Sequence, residues 1–230
     1  MTNLLAESNW PSIRTRPVVL VPLGSTEQHG PHLPFSTDTV IAEAVAKALA
    51  AEIEAAGDGP VVLAPAIPYG ASGEHQSFPG TSSIGHEALE LILVELVRSM
   101  GSWSRRVVVV NGHGGNVPTL RTVTERLVDE GHDVGWVSCG TVNGDAHAGH
   151  TETSVMLHLA PWSVSRASIA AGNVRPLAEL LPDLVAGGVA AVSPTGVLGD
   201  PTAASAEQGA VILAEMVARA HDQLLRGASA

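Results

Sequence analysis

Residues 21–39 read VPLGSTEQHGPHLPFSTDT. Glu27, His29, His32 and Asp38 fall within twelve residues of one loop, broken by proline and glycine, that follows an apolar run. A solvated loop carries one acid or one histidine without consequence. Four side chains able to ligate a metal, just past a buried strand, point to a bound cation. Glu27 and His29 are two apart, and extended backbone puts both on one side. Further candidates recur downstream: Glu74 and His75 in GEHQS, His113 in NGHGGN, and His147, His150 and Glu152 in HAGHTET. Carboxylates and imidazoles without thiolates suit zinc, iron(II) or manganese. The strong candidates are Glu27, His29, Asp38, His113 and Glu152. They suffice for two ions, with Asp38 suited to bridge them, and such a pair activates a water held between the ions as hydroxide. Each residue taken alone has a plainer use. Asp38 would cap a helix, Glu152 would favour a helix N-terminus, and a lone histidine would be a hydrogen-bonded core residue. Their joint position argues for a common ligand.

That position follows from the elements around them. Apolar runs at 17–24, 60–67, 105–112 and 133–140 read as buried strands. Amphipathic patterns at 38–57, 86–101, 117–131, 151–160 and about 205–225 read as helices. This alternation predicts an α/β fold, a three-layer sandwich with a mostly parallel central sheet flanked by helices. Ligands of open α/β sheets bind beyond the carboxyl ends of the strands, and the candidates follow the strands one after another. Residues 68–85 are too rich in Gly, Ser and Pro for regular structure, and a loop of that length is usually functional. Glu74, His75 and Ser77 are therefore expected to wall a substrate pocket, and the turn-rich stretch 193–205 to close another side. No repeat or linker divides the chain, so one domain over 1–230 is expected.

Composition narrows the function classes. The 230 residues carry a formal charge of −11, with a single lysine, Lys47. Nucleic acid and anionic membranes need a basic surface, so neither is expected as a partner. Cys139 is the only cysteine, which leaves no internal disulfide and no thiolate metal site. It lies in an apolar run and reads as a buried, inert thiol. The N-terminal stretch lacks the pattern of a signal peptide, and no apolar run reaches membrane-spanning length; a cytoplasmic protein is expected. NGHGGN after a strand invites a nucleotide reading, but its spacing is not G-x-G-x-x-G. No G-x-S-x-G elbow supports a serine hydrolase.

The segments GSTEQHGPHLPFSTDT, FPGTSSIG, NGHGGN and HAGHTETSVML, in that order, resemble the creatininase family of metal-dependent amidohydrolases. The resemblance implies an α/β fold, a two-metal site, cleavage of unusual C–N amide bonds and a homo-hexamer. Carried over, Glu27, His29, Asp38 and His113 would be metal ligands, with Asp38 bridging. His147 matches a catalytic proton-transfer position. Creatininase has a glutamate ligand two residues after its N-G-H histidine, where this chain has Gly115. Glu152 is the obvious substitute, a ligand that would pair with His147 in catalysis, and the exchange weighs against creatinine as substrate. YGASGEHQSFPGTSSIG, GDAHAGHTETSVMLHL and AAVSPTGVLGDPTAAS are similar to the branch of the family that matures the mycofactocin precursor peptide. That similarity implies release of a modified, cross-linked C-terminal Val-Tyr dipeptide from this peptide. A creatinine or formamide amidohydrolase is the alternative within the family. A non-catalytic metal-binding protein is the alternative outside it.

Overall fold

The structure, a computed structural model, describes residues 3–13 and 16–227. Residues 1, 2, 14 and 15 of the N-terminal stretch lie outside the described residues. The elements in chain order are β1 (Asn3–Leu4), β2 (Val18–Leu23), α1 (Thr37–Ala56), β3 (Val61–Leu63), α2 (Gly85–Gly101), β4 (Arg106–Asn111), α3 (Val117–Asp129), β5 (Val134–Ser138), α4 (His150–Leu159), α5 (Leu177–Gly187), α6 (Val189–Val192) and α7 (Ala206–Leu225). The strands form one sheet in the order β1-β3-β2-β4-β5, and every pairing is parallel.

Side chains of a strand alternate between faces, and here both faces are apolar. Val18 and Leu20 of β2 and Val108 and Val110 of β4 join one core cluster, packed with Leu49 of α1, Met156 of α4 and Met216 of α7. Val19, Val21, Val107 and Val109 join the other, with Leu93 of α2 and Leu127 of α3. Burial on both sides explains the near-continuous valine runs. The result is the expected three-layer α/β sandwich. Among the described residues, no helix is long and apolar enough to cross a membrane.

The loop after β2 leads into α1 on one face of the sheet. The loop after the adjacent β4 leads into α3 on the other face. The chain therefore parts between these neighbours, which opens the crevice where α/β sheets bind ligands.

The elements differ from expectation in particular places. β3 stops at Leu63 because Pro65 and Pro68 interrupt the run, leaving only a bridge from Ile67 to Leu23. β1, two residues pairing with Val62 and Leu63, is too short for a periodic signal. The sequence reading assigned no element to 161–192, where α5 and α6 form. α5 carries Pro182 inside it, and Gly188 at φ 70° turns the chain between the two helices.

One side chain ties the loops together. Asn116, fully buried, follows the glycine pair of NGHGGN. Its Oδ1 accepts from the Ala71 N–H, and its Nδ2 donates to the Gly24 carbonyl and to Asn111 Oδ1. The loops after β2, β3 and β4 are thereby pinned to one amide. Gly70 has to lack a side chain, since a Cβ there would stand 2.5 Å from Asn116 Oδ1 and 2.7 Å from the Gly24 oxygen. Asn116→Ala leaves these buried groups unpaired. It is expected to lower unfolding stability by about 1–3 kcal/mol, measurable by urea denaturation; an unchanged midpoint would contradict this role.

Candidate metal centre

β2 ends in a loop that turns back through Gly30, at φ 64°, and enters α1 with Asp38 in its first turn. Glu27, His29 and Asp38 thus converge above the carboxyl end of the strand, all buried. Gly112 after β4 lets α1 approach, because a Cβ there would lie 2.4 Å from the Asp38 carbonyl oxygen. His113 follows directly.

The two Asp38 oxygens face different partners. Oδ1 is 3.0 Å from His29 Nε2, and Oδ2 is 3.4 Å from His113 Nδ1. His113 Nδ1 also lies 3.1 Å from Glu27 Oε1. On the other side, His29 Nε2 is 3.8 Å from Glu152 Oε2. Two sets of possible ligand atoms result, Glu27–Asp38–His113 and His29–His147–Glu152, each within 4.8 Å of one another. A third set, Glu27–His75–His147, overlaps both.

The local geometry prepares these groups for a cation. His29 Nδ1 lies 3.1 Å from the Glu27 carbonyl oxygen. That oxygen can only accept, so the ring proton sits on Nδ1 and leaves the Nε2 lone pair for the centre. Glu152 stands at the start of α4 and accepts a 2.6 Å hydrogen bond from the Ala148 N–H. Ala148 has φ 52°, the left-handed region that alanine seldom occupies. Both Glu27 oxygens and Asp38 Oδ2 are buried and lack a hydrogen-bond partner among the described residues. Buried carboxylate oxygens are costly when unpaired, and divalent cations satisfy them. The donor set, carboxylates and imidazoles with no thiolate, fits zinc, iron(II) or manganese.

Proton equilibria report the same crowding. Burial raises the Glu27 carboxyl, with help from neighbouring Asp38. Burial, opposed by His29 and reinforced by Asp38, pushes Glu152 up to about 7. Burial resists a charge on His29, but the Asp38, Glu152 and Glu27 carboxylates overcome it and raise the imidazole to about 10. His147 moves the other way, well below its ordinary value, through burial and the neighbouring His29 and His75 rings. Burial is also the first cause that brings His75 down to about 4.

The expected wall residues all border a cavity of about 740 Å³ that opens from this cluster. Ser77 lines it. Glu74 stands 3.3 Å from His113 Nε2, on the side of the ring away from Glu27. Its carboxylate also fills the space beside Gly115, where a Cβ would meet Glu74 Oε1 at 2.6 Å and His113 Nε2 at 2.4 Å. The carboxylate next to position 115 is therefore Glu74, whereas Glu152 lies across the centre beside His29. His75 is nearly enclosed, with Nε2 3.4 Å from Glu27 Oε1. The 193–205 stretch contributes Leu198, whose backbone pairs with that of His147. His32 is buried against Thr153, 2.8 Å from its hydroxyl, and does not line the cavity. Gln28 and Asn116 were not singled out from sequence, although both sit inside the motifs that were.

Comparison with known proteins agrees with this geometry. A family model, Creatininase (creatinine amidohydrolase), matches residues 6–224. The chain is 59% identical over 213 residues to the mycofactocin precursor peptide peptidase of Mycobacterium ulcerans (strain Agy99), covering 91% of this chain and 83% of the relative. It is 56% identical over 210 residues to the protein of the same name from Mycolicibacterium smegmatis, covering 91% and 85%. With the creatinine amidohydrolase of Pseudomonas putida it shares 31% identity over 105 residues, 43% of this chain and 38% of that one. Among solved structures, a crystal structure of creatinine amidohydrolase superposes with TM-score 0.79 at 26% identity, covering 100% of this chain and 99% of the other. A manganese creatininase superposes with TM-score 0.79 at 25% identity.

The raised His29 value means that metal-free protein at neutral pH holds a proton where a cation would bind. Zinc titrated into that protein is expected to release on the order of one proton per chain. The calorimetric binding enthalpy should then vary with the ionisation enthalpy of the buffer; a buffer-independent enthalpy would contradict proton displacement.

Proposed function

The chain belongs to the creatininase family, and we propose that it is a metal-dependent peptidase that hydrolyses the mycofactocin precursor peptide, releasing its modified, cross-linked C-terminal Val-Tyr dipeptide. The observation that carries the proposal is 59% identity across 91% of the chain to a peptidase of that name, joined to the partnerless buried oxygens of Glu27 and Asp38. The whole-chain relatives at 56–59% identity are peptidases, whereas the creatinine amidohydrolase match covers only 43% of the chain.

We assign Glu27, Asp38 and His113 to one divalent ion, and His29, Asp38 and Glu152 to a second. Iron(II) or zinc is the expected metal, with manganese also compatible. Bound ions of this kind polarise a carbonyl oxygen and lower the pKa of water. The protein's own groups do the rest. Asp38 turns one oxygen to each set and keeps the two sets in register. His147 lies within the cluster and borders the cavity, in reach of the amide nitrogen of a bound substrate. Amines leave poorly unless protonated; His147 Nδ1 takes the proton given up by the attacking water and passes it to the leaving nitrogen. Glu152 completes the second set and stands beside His147 as its catalytic partner. Ser77 and Glu74 border the chain entering from solvent.

The far wall of the cavity supports a peptide over a small polar substrate. Leu177, Leu181, Leu184 and Val185 of α5 form an apolar surface across from the carboxylates, and Leu181 remains 53% exposed. Such a wall suits the apolar side chains next to the scissile bond. It also argues against a structural metal site, which is closed by protein ligands. We expect one domain assembled as a cytoplasmic homo-hexamer. Exposed Trp10 and Trp162 are consistent with surface covered on assembly.

Three outcomes test this reading. Protein loaded anaerobically with iron(II) or zinc should release the modified dipeptide from the precursor, seen by mass spectrometry, and leave creatinine intact. Turnover of creatinine alone would overturn the substrate assignment. Asp38→Ala should lose both metal and activity, while His147→Ala should keep the metal and lose roughly 10²–10⁴ in kcat; full activity of either removes that residue's role. Leu181→Asp should raise KM for the peptide with metal content unchanged.

A further inference from the structure

Gln28 lies between Glu27 and His29 in the chain, and its side chain packs against His75 and His147. It is almost fully buried, and its carboxamide has only one self-consistent hydrogen-bond assignment. Oε1 is 2.8 Å from the Gly30 backbone nitrogen, which can only donate. Nε2 is 3.2 Å from the Gly196 carbonyl oxygen, which can only accept. The amide cannot be flipped without breaking both. Gly196, at φ 81°, exists as glycine because a Cβ there would stand 1.8 Å from Gln28 Oε1. The 193–205 loop is thus moulded around this one side chain.

Two histidines lie against the same amide. Gln28 Nε2 is 2.9 Å from His75 Nδ1 and 3.0 Å from His147 Nε2. His147 Nε2 is also 2.8 Å from the Gln28 backbone carbonyl oxygen. Because that oxygen accepts only, His147 carries its proton on Nε2 and cannot take one from the amide. The two amide hydrogens then go to the Gly196 oxygen and to His75 Nδ1. Both amide hydrogens and the His147 Nε2–H then have acceptors, an assignment set by the fixed Gly30 and Gly196 contacts.

We propose that Gln28 is a positioning residue that sets the tautomers of both rings. Its carboxamide holds His75 with the proton on Nε2, the nitrogen 3.4 Å from Glu27 Oε1. A protonated nitrogen cannot ligate, so His75 is withheld from the metal although it lies among the ligands. The Gln28 backbone carbonyl holds His147 with its proton outward on Nε2. The bare Nδ1, 3.7 Å from Glu27 Oε1, then faces the centre. That is the nitrogen that exchanges a proton with the reacting amide. The kinetic consequence rests on the role given above to His147; the tautomers do not.

Neutron diffraction from zinc-loaded, deuterium-exchanged crystals reads them directly and needs no substrate. The expected result is deuterium on Nε2 of both rings and no zinc on His75. Deuterium on Nδ1 of either ring, or zinc bound to His75 Nε2, overturns the proposal. Gln28→Glu is nearly isosteric but has no proton to offer His75 Nδ1. It should move the His75 deuterium to Nδ1 and lower kcat roughly 10- to 100-fold with KM unchanged. A purely structural Gln28 would lower stability without moving the deuterium, which overturns the proposal, as does a moved deuterium with unchanged kcat. If the variant does not fold, the wild-type crystal still decides the tautomers.

Discussion

Glu27, Asp38 and Glu152 are brought together in a largely buried site, and this concentration of negative charge is the constraint on which the rest depends. Two like charges about 4 Å apart repel by ~4 kcal/mol at an effective dielectric of ~20. Without a cation the cluster takes up protons: against the effect of burial the carboxylates raise His29 to about 10, and burial, reinforced by Asp38, raises Glu152 to about 7. Divalent ions relieve the same repulsion and pair the oxygens of Glu27 and Asp38 that find no hydrogen bond. The site is built to be occupied.

Holding such a cluster requires a rigid support. The parallel sheet supplies it through apolar burial on both faces, and the parting of α1 and α3 to opposite faces opens the crevice. The loops that carry the ligands have little regular structure, so buried amides hold them instead. Asn116 joins three of them on one side. Gln28 joins the β2 loop to His75, His147 and the 193–205 loop on the other. Glycines at 70, 112 and 196 give these amides and α1 room to approach. The candidate ligands and the apolar wall of the cavity are carried by separate parts of the fold. The carboxylates and imidazoles belong to the sheet edge, and the apolar wall belongs to α5, an element outside the four-strand core pattern.

Glycine at position 115 leaves space that a carboxylate from another loop fills. With glycine there, the 73–75 turn has room to set the Glu74 carboxylate 3.3 Å from His113 Nε2. Burial resists its charge, but the hydrogen bond and charge of His113 hold its pKa below the usual carboxylate range. A ring gripped by a carboxylate on one nitrogen presents the other in a fixed direction, here toward Glu27 and Asp38.

The sequence by itself determined the chemistry and the layers. Donor types with no cysteine among them declared a hard or borderline divalent ion, and apolar runs alternating with helical periods declared a parallel sheet. The rule that ligands gather beyond strand ends then linked residues as far apart as Glu27 and Glu152. Local pattern carries that much because it depends only on period and residue type. It failed at β1, too short for any period, and at α5, where Pro182 interrupts the helical pattern. Only the tertiary structure decided which oxygen of Asp38 faces which histidine, that Glu74 and not Glu152 stands beside Gly115, and which groups each ring nitrogen meets. Those outcomes rest on contacts such as Gln28 to His147, 119 residues apart. They turn on distances of a few tenths of an ångström set by loop closure and packing, which no spacing along the chain encodes.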